Sequence, residues 1–386
     1  MGIMKNNLIT PRQFKIIIIF SLIGDTILIL PNIVGSLAKQ DAWISMLLAI
    51  AGGMLVGWLY SSLISRMAGR SLIGVTIGIS GKIVGSILAL ALIVAFYTTI
   101  LTLIVELSFF VTSQMMTETP SEAIVLSFLL VTTVGMRYGV ESFARMSELL
   151  FPLFISMFIF LAICLLPQIN VSQLFPILSP GFIPVLRGSY PAFAYAFLES
   201  AALLMLVPHL TGDQKSIKRA VRDGFFIGGI LLFIIVLLCV LVLGPKMMEI
   251  KYYPTFLLAQ RIEIGRFLER LEALLTFLWI VTVFYKTLLY AFCILKGFSE
   301  MLNLKEERFL SMPVTLLLLA GSQLNTPSVA TYNELLSYFP NFDIVFYLLI
   351  PLLLYLLLGL PAIKRRLEPS RAGKSSKPKS GSGQSS

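Results

Sequence analysis

The sequence has few charged residues. Of its 386 residues only 13% are Asp, Glu, Lys or Arg, whereas 57% are hydrophobic. A soluble domain carries about 25% charged residues, so this composition excludes an ordinary water-soluble domain. The mean hydropathy of +0.90 agrees with that conclusion. The long apolar runs predict an all-α polytopic membrane protein, because a helix satisfies its own backbone hydrogen bonds within lipid.

The sequence also lacks the motifs that carry enzyme chemistry. It contains no P-loop, no nucleophile elbow and no cluster of residues with metal-ligand spacing. The single histidine is His209, and the three cysteines, Cys164, Cys239 and Cys293, are scattered among apolar runs. This spacing indicates neither a disulfide framework nor a metal site. We therefore expect no enzyme activity, no cofactor and no bound metal.

The positive charge is concentrated at the C-terminus. The formal net charge is +10, and residues 364–379 hold seven basic residues against one acidic residue. A basic tail of this kind suits the anionic cytoplasmic leaflet of a lipid bilayer, and we expect no nucleic-acid partner. Residues 368–386 are rich in Ser, Gly and Lys, which predicts a disordered cytoplasmic tail. The transmembrane domain is then expected to occupy residues 1–367.

Ten apolar segments are candidates to span the membrane. Their predicted bounds are 14–37, 43–65, 82–116, 122–136, 141–166, 189–210, 221–243, 266–301, 309–323 and 339–361. Most of the Lys and Arg residues fall in alternate loops, on the side of the N-terminus. By the positive-inside rule, both termini are predicted to be cytoplasmic.

The lengths of these segments repeat. The third and eighth are long, the fourth and ninth are short, and the first and sixth each carry an acidic residue near mid-span. This pattern predicts a five-plus-five inverted repeat, with repeat one at residues 9–166 and repeat two at 183–362. Interrupted helices at matching positions of two halves are the best sequence pointer to a transporter binding site. The halves share no residue-level identity, so this prediction depends on pattern alone.

The first segment carries Gly24 and Asp25 near its middle. A central Asp costs roughly 2.5–3.5 kcal/mol on insertion scales, and glycine loosens a helix by about 1 kcal/mol relative to alanine. Broken backbone at that depth is tolerated only where it lines a cavity or is buried in protein. We therefore predict that Gly24, Asp25 and Thr26 form one wall of a central site.

The sixth segment has its own polar interruption, with Phe197, Glu199 and Ser200 in the stretch YAFLESAALL. If this helix also breaks, its freed amides would suit an anionic group such as a carboxylate. Its freed carbonyls would suit an ammonium group or a cation. The alternative is that Glu199 is a structural acid bonded to neighbouring backbone.

Two further charged residues lie close to the membrane midplane, Glu106 in the third segment and Lys286 in the eighth. Exposing either side chain to lipid would have a large free-energy cost. Lys286 is a candidate for a fixed cation in place of a bound sodium, or for a proton carrier. The alternative is an ion pair with a buried acid that only holds the helices together.

Hydroxyl groups surround these charges in the sequence. Thr287 and Tyr290 neighbour Lys286, and Tyr97 precedes Glu106 at a helical spacing that places both on one face. These hydroxyls could line a polar pocket or a water path. Hydrogen bonds between helices are the alternative interpretation.

Several motifs resemble one known family. They are ITPRQ at residues 9–13, ILILP at 27–31, YGVESFARMSELLFP at 138–152, YPT at 253–255 and FLERLEA at 267–273, followed by Trp279 and Lys286. Together they resemble the B subunits of spore germinant receptors. That family is similar to amino-acid permeases of the amino acid–polyamine–organocation superfamily. The matching positions are spread over the chain up to about residue 366.

Two positions depart from the family pattern. Leu198 stands before Glu199, where the family commonly has a glycine, and Asp25 stands where a small or hydroxyl residue is more usual. The resemblance implies a LeuT-like fold of five plus five helices, which agrees with the helix count. Carried over by motif, the pocket would include Gly24, Thr26, Glu199, Lys286, Thr287 and Tyr290, with Tyr97 and Glu106 beside them.

The resemblance also implies a function. Such a subunit would lie in the spore inner membrane beside an A subunit and a lipoprotein C subunit. It would bind a small germinant, such as an amino acid, in the central pocket and so trigger germination. One alternative is a proton-coupled amino-acid transporter with Lys286 or Glu106 as the carrier. Another is a water or ion channel along the same path. Fold alone does not choose among these functions.

Overall fold

The computed structural model describes residues 8–179, 181–262, 271–304, 306–324 and 329–361. The predicted tail at 368–386, the FLERLEA motif up to residue 270 and the predicted start of the eighth segment at 266–270 lie outside the described residues. The regular structure in the described ranges is helical, apart from one isolated parallel bridge between Ile9 and Leu210.

The first half of the chain folds into seven α-helices. Their bounds are α1 Pro11–Ile23, α2 Thr26–Ala38, α3 Ala42–Arg66, α4 Leu72–Ser80, α5 Lys82–Phe110, α6 Ser121–Tyr138 and α7 Val140–Leu165. A π-helical turn at Val111–Met115 extends α5. A single glycine, Gly139, separates α6 from α7, and its φ of 84° allows the sharp change of direction there.

The described residues of the second half form eight more α-helices. Their bounds are α8 Ile183–Phe197, α9 Gln214–Leu238, α10 Pro245–Ile250, α11 Pro254–Gln260, α12 Glu272–Leu302, α13 Ser311–Leu324, α14 Val329–Asp343 and α15 Ile350–Leu357. A 3₁₀ helix at Leu198–His209 continues α8. A π-helical segment at Ile344–Leu349 joins α14 to α15.

Within the described part of the chain, eight helical segments are long and apolar enough to cross a membrane. The first, Thr26–Arg66, contains α2 and α3 with a turn at Lys39–Asp41, and so supplies two passes. The helix α13 has 14 residues and is the short ninth helix of the sequence prediction. The prediction of a polytopic helical protein with about ten passes is confirmed.

Several element boundaries differ from the sequence prediction. The last segment begins with α14 at Val329, ten residues before the predicted start at 339, because the first turns of α14 contain polar residues such as Glu334 and are not part of the apolar run. The sixth begins at Ile183, with Pro184 in the first turn, where proline costs no hydrogen bond. The short helix α4 was not predicted, since its nine residues are too few to span a bilayer.

The N-terminal motif caps α1. The Thr10 side chain accepts a hydrogen bond from the Gln13 amide at 3.3 Å, and the Gln13 side chain accepts one from the Thr10 amide at 2.9 Å. This capping box satisfies two amides at the helix start. Gln13 also donates to Glu148 on α7 at 3.1 Å, so two of the motifs found in the sequence lie against each other.

The helix α1 lies in the protein interior. It packs against α9, α7 and α12, while α3 packs against α8 and α9 and α5 packs along α12. Ten of its thirteen residues are buried. Such full burial explains why α1 is apolar on every face, as expected for a helix inside a bundle.

Candidate ligand site at the two broken helices

The first membrane helix is broken at Gly24 and Asp25. The helix α1 ends at Ile23, Gly24 adopts a φ of 23°, and α2 begins at Thr26. A β-carbon at Gly24 would lie 2.4 Å from Cδ of Lys286. Both the backbone conformation and the close approach of the lysine therefore require glycine. The predicted break of this helix is confirmed.

The sixth membrane helix changes its winding at the matching depth. The α-helix α8 ends at Phe197, and a 3₁₀ helix of 12 residues follows from Leu198 to His209. Runs of 3₁₀ helix longer than three or four residues are uncommon and often mark a functional or strained segment. Leu198, which replaces the glycine usual in the family, is compatible with this change of winding. Glu199 is the second residue of the 3₁₀ helix.

A lysine joins the two breaks. Lys286 of α12 is completely buried, and its Nζ lies 2.5 Å from Oδ1 of Asp25. The same Nζ is in ion-pair contact with Oε2 of Glu199. The three residues form a buried ion triad, which we call the central triad: Asp25, Lys286 and Glu199. The structure thus brings together charged residues that the sequence placed on three different membrane segments.

A buried triad of this kind is costly to break. Removing one partner of a buried ion pair commonly destabilises a protein by about 3–5 kcal/mol, because an uncompensated charge remains. Asp25 and Glu199 are 6% and 4% exposed, so water does little to solvate either carboxylate. The triad can therefore hold the two broken helices against α12, and any ligand that binds here must replace its charge interactions.

Two more acids accompany the central triad. Glu106 on α5 interacts electrostatically with Asp25, Lys286 and Glu199. Asp343, the last residue of α14, interacts with the same three residues. Glu106 is 2% exposed and Asp343 is fully buried. Within the described part of the chain, Oε1 of Glu106 and both carboxylate oxygens of Asp343 have no hydrogen-bond partner.

Asp343 was missed in the sequence analysis. It lies in the stretch YFPNFDIVFY, near the predicted start of the last segment. An acidic residue is common at the start of a helix, so it did not indicate a buried site there. The available signal was the spacing from Asp343 to Tyr347, which places an acid and a hydroxyl on one helical face. Because α14 begins at Val329, Asp343 lies deep in the bundle instead of near its surface.

Side-chain hydroxyls satisfy the carbonyl groups that the breaks leave free. At the first break, Thr282 donates to the Gly24 carbonyl at 2.8 Å. Within α2, Thr255 donates at 2.7 Å to the Ile27 carbonyl, which lacks a helical partner because Pro31 has no N–H. Thr26 donates back to the Leu22 and Ile23 carbonyls, both at 2.7 Å. The structure thus satisfies these carbonyls internally, and the hydrogen bonds tie α11 and α12 to the broken helix.

At the second break, side-chain hydroxyls also donate hydrogen bonds to backbone carbonyls. Tyr290 of α12 donates to the Glu199 carbonyl at 2.7 Å, and Ser200 donates to the Phe197 carbonyl at 2.5 Å. Tyr60 of α3 donates to the Leu198 carbonyl at 3.1 Å. Tyr60 also contacts the Tyr347 carbonyl, and so connects the 3₁₀ helix to the π-helical segment.

Three predicted site residues have other surroundings. The Tyr97 hydroxyl donates to the Leu317 carbonyl of α13 at 2.8 Å, which places it against the short ninth helix. The Phe197 ring stacks on Phe225 of α9, with centroids 6.1 Å apart. Thr287 is buried beside Lys286, and its hydroxyl has no partner among the described residues. Of the three, Thr287 alone is a direct neighbour of the central triad.

A cleft lies on the side of the breaks away from the N-terminus. It has a volume of about 600 Å³, which is the size of a typical small-molecule site. We call it the vestibule. Its walls come from α2, α8, α10 and α14: Ile29, Asn32, Ile33, Ser36, Leu37, Arg187, Tyr190, Pro191, Tyr195, Glu249, Ile250, Tyr252, Leu336, Ser337 and Pro340.

Hydrogen bonds join the segments that form the walls of the vestibule. Asn32 of α2 donates to the carbonyls of Met248 and Lys251, both at 2.9 Å. Tyr195 of α8 donates to the Leu336 carbonyl of α14 at 2.5 Å. These bonds hold the walls of the vestibule together.

Solved transporters have a similar fold. Mhp1, a nucleobase-cation-symport-1 family transporter in a closed conformation with bromovinylhydantoin bound, superposes with a TM-score of 0.66. It is 12% identical, and the match covers 86% of this chain and 75% of Mhp1. A mutant form of the manganese transporter of Eremococcus coleocola superposes with a TM-score of 0.58 at 13% identity, covering 93% and 82% of the two chains. The fold is therefore the LeuT-like fold of membrane transporters, with its first and sixth helices broken.

The sequence comparisons identify the family. The spore germination protein family matches residues 8–329, and this chain belongs to it. Spore germination protein KB of Bacillus subtilis (strain 168) is 26% identical over 368 residues, covering 92% of this chain and 95% of KB. Spore germination protein YndE of the same organism is 26% identical over 309 residues, covering 77% and 82%. The chain is a multi-pass, permease-like membrane protein of spore germination, and the resemblance drawn from its motifs is confirmed.

Proposed function

We propose that the chain is the membrane subunit of a spore germinant receptor and that it binds a small germinant at the two broken helices. The observation that carries this proposal is the central triad, in which Lys286 neutralises one acid from each broken helix. A ligand that displaces Lys286 from Asp25 or Glu199 would change the contact between the two helices. It would thereby couple binding to conformation.

The chemistry of the triad favours a zwitterionic ligand such as an amino acid. A ligand carboxylate can take the place of Asp25 or Glu199 beside Lys286, and a ligand ammonium can take the place of Lys286 beside the acids. Such an exchange preserves the number of buried ion pairs, so its free-energy cost is lower than that of breaking the triad. Binding must still differ in free energy between two conformations if it is to produce a signal.

The proposed pocket contains the sequence-predicted residues that surround the triad: Gly24, Asp25, Thr26, Glu106, Glu199, Ser200, Lys286, Thr287 and Tyr290. The vestibule supplies the route of entry, because it opens on the side that the positive-inside rule places away from the cytoplasm. Both termini are proposed to be cytoplasmic. The proposed location is the spore inner membrane.

The proposed partners are the A subunit and the lipoprotein C subunit of the same receptor. Support comes from the family, since relatives with almost the same length are spore germination proteins. A sensor of this kind should depend on its partners for stability or activity. It should also show no steady flux of its ligand.

Germination of spores from the native organism tests the proposal. The chromosomal gene is replaced by wild type, by Lys286→Met or by Lys296→Met, and dipicolinate release is followed after each of the twenty amino acids. We expect Lys286→Met to abolish one amino-acid response at normal protein level, while Lys296→Met retains it. An unchanged response in Lys286→Met spores would refute the proposal.

A proton-coupled transporter is the second candidate, and the likeness to solved transporters favours it. Purified protein in liposomes separates the two functions. Uptake of a labelled amino acid driven by a pH gradient would identify a transporter. Saturable binding without uptake would identify a sensor. Conductance or water flux without saturable binding would instead indicate a channel along the same path.

A further inference from the structure

Three of the helical segments that line the vestibule also carry an acidic residue one turn away from a lining residue. On α2, Asp25 lies four residues before Ile29, and on the sixth membrane helix Glu199 lies four residues after Tyr195. On α14, Asp343 lies three residues after Pro340. Residues three or four apart lie on the same face of a helix. Each of these three walls therefore ends, one turn below the vestibule, in a buried carboxylate.

Two of these three acids are in ion-pair contact with Lys286. Lys286 contacts Asp25 and Glu199, whereas neither oxygen of Asp343 has a hydrogen-bond partner in the described part of the chain. An unpaired polar group in a protein interior commonly costs about 1–3 kcal/mol, and a charged group costs more. Of the three acids that end these walls, Asp343 is therefore the one whose carboxylate has neither a hydrogen-bond nor an ion-pair partner in the described part of the chain.

Hydroxyl groups that could satisfy Asp343 are engaged elsewhere. Five tyrosines lie within electrostatic range of it: Tyr60, Tyr190, Tyr195, Tyr290 and Tyr347. Every one of their hydroxyls is hydrogen-bonded to another group, such as the Leu336 carbonyl for Tyr195 and Thr99 for Tyr347. None of these hydroxyls donates to the Asp343 carboxylate.

The local backbone keeps Asp343 in this position. The π-helical segment begins at Ile344, directly after Asp343. Single π-helical turns inside helices are frequently found at functional sites. The segment packs against the 3₁₀ helix that carries Glu199, and Tyr60 bridges the two through the Leu198 and Tyr347 carbonyls. Asp343 and Glu199 are therefore fixed relative to each other by backbone contacts.

We propose that Asp343 is the binding group for a primary ammonium group of the ligand. An ammonium group carries one positive charge and donates three hydrogen bonds, so it can satisfy both oxygens of this buried, unpartnered carboxylate. A hard metal cation instead needs six or more oxygen ligands, and the tyrosine hydroxyls around Asp343 are already committed. This inference rests on the proposed function, because it specifies the chemical class of the ligand for the same site.

Access to Asp343 requires a local opening. Tyr195 is 4% exposed and lies between the vestibule and the acids. Its hydroxyl donates to the Leu336 carbonyl at 2.5 Å, and the Tyr190 hydroxyl donates to Oδ1 of Asn341 at 2.5 Å. Both bonds join α8 to α14. An ammonium group that enters from the vestibule must separate these helices before it reaches the carboxylate.

Thermal unfolding of the purified full chain in detergent tests the proposal, with methylammonium chloride as the probe. We expect methylammonium to raise the Tm of wild type in a saturable manner, beyond the effect of sodium chloride or tetramethylammonium chloride at equal ionic strength. Asp343→Asn should weaken the apparent affinity for methylammonium at least tenfold. Asp223→Asn is the control, since Asp223 is a surface acid paired with Arg222 at 2.7 Å, and it should respond as wild type does.

Each other outcome counts against the proposal. A saturable methylammonium effect that persists in Asp343→Asn, or an equal effect of sodium, would overturn it. The unpartnered carboxylate also predicts that Asp343→Asn folds with an unchanged or higher Tm, so a protein that does not fold contradicts the argument. Tyr195→Phe is a second variant, and loss of its bond to Leu336 should tighten the apparent affinity for methylammonium.

The result is separable from the germination experiment. If spores respond normally to amino acids through this chain but methylammonium does not stabilise the purified protein, the role of Asp343 is wrong and the receptor function stands. If methylammonium binds through Asp343 but Lys286→Met spores germinate normally, the receptor function fails and the ammonium site stands.

Discussion

Nζ of Lys286 lies 2.5 Å from Oδ1 of Asp25, although 261 residues separate them in the chain. Asp25 occupies the start of α2, where the helix dipole favours an anion, and Lys286 lies beside the end of α1, where the dipole favours a cation. The ion pair therefore has the orientation that both half-helices favour. The break in the backbone and the buried charges stabilise each other.

The first prediction concerns Lys286→Met. The substitution leaves the carboxylates of Asp25 and Glu199 buried without their cation, which should lower the free energy of unfolding by about 3–5 kcal/mol. We expect a clear fall in the Tm of the purified protein. Ligand response should be lost even in those molecules that remain folded.

Lys296→Met is the matched control for this prediction. Lys296 is on the same helix, but it is partly exposed and its nitrogen is 3.9 Å from Glu300 and 3.7 Å from Glu307. Exposed pairs of this kind contribute about 0–1 kcal/mol. If both variants lower the Tm by the same amount, the special role of the central triad is wrong.

A second prediction combines two substitutions. Adding Glu199→Gln to Lys286→Met removes one of the two orphaned charges, so the double variant should recover part of the Tm lost by Lys286→Met. Coupling between residues in one ion network commonly reaches about 0.5–3 kcal/mol in a double-mutant cycle. We expect recovery of stability without recovery of ligand binding. Strict additivity of the two substitutions would show that Lys286 and Glu199 do not interact.

A third prediction separates backbone strain from crowding at Gly24. In Gly24→Ala the new β-carbon meets Cδ of Lys286 at 2.4 Å, and the φ of 23° is unfavourable for alanine. Gly69→Ala is the control, because Gly69 has a φ of 76° and nothing within 4 Å of the added carbon. Gly69→Ala should cost only the left-handed strain of about 1–2 kcal/mol. Gly24→Ala should cost more and should disturb the central triad.

The measurement is the Tm of both proteins, together with ligand binding by Gly24→Ala. Equal losses in Tm would mean that the lysine moves aside without cost. Normal ligand binding by Gly24→Ala would then contradict the inference that this break forms a wall of the site.

A fourth prediction tests the orientation of the vestibule. Ser36 is exposed and lines the vestibule, whereas Gln214 is exposed at the start of α9 on the side of the N-terminus. In a background with Cys164→Ala, which removes the one partly exposed cysteine, cysteines replace Ser36 and Gln214 in turn. In right-side-out vesicles, a membrane-impermeant maleimide should label the cysteine at 36 immediately and the cysteine at 214 only after permeabilisation. The reverse pattern would invert the topology.

The charged residues of the site could be predicted because placing a charged side chain in a membrane has a large free-energy cost. Asp25, Glu199 and Lys286 each interrupt an apolar run, so each demands a partner, and the structure supplies the partners among themselves. The break at Gly24 followed from the same reasoning. What the sequence left undecided was which acid meets the lysine, because that choice depends on how α12 packs against α1 and the 3₁₀ helix.

Other features depend on packing that sequence patterns do not record. Asp343 was overlooked because it is close to the predicted start of the last segment at 339, whereas α14 begins at Val329 and carries Asp343 into the protein interior. The prediction that Tyr97 shares a face with Glu106 was wrong, because nine residues make about two and a half turns of α5 and place the two side chains on opposite sides. The Tyr97 hydroxyl instead donates to the Leu317 carbonyl of α13. The long 3₁₀ helix after Phe197 also has no local signal, since its sequence favours an α-helix equally well.

The bridge between Ile9 and Leu210 joins the start of the first interrupted helix to the end of the sixth. The Ile9 amide donates to the His209 carbonyl at 2.7 Å, and the Thr211 amide donates to the Ile9 carbonyl at 2.9 Å. Because these bonds are between backbone groups, most side-chain replacements leave them intact. These backbone hydrogen bonds therefore couple α1 to the 3₁₀ helix at Leu198–His209. A displacement produced at the acids by a ligand would therefore move both chain segments together at the end of the bundle that holds Ile9.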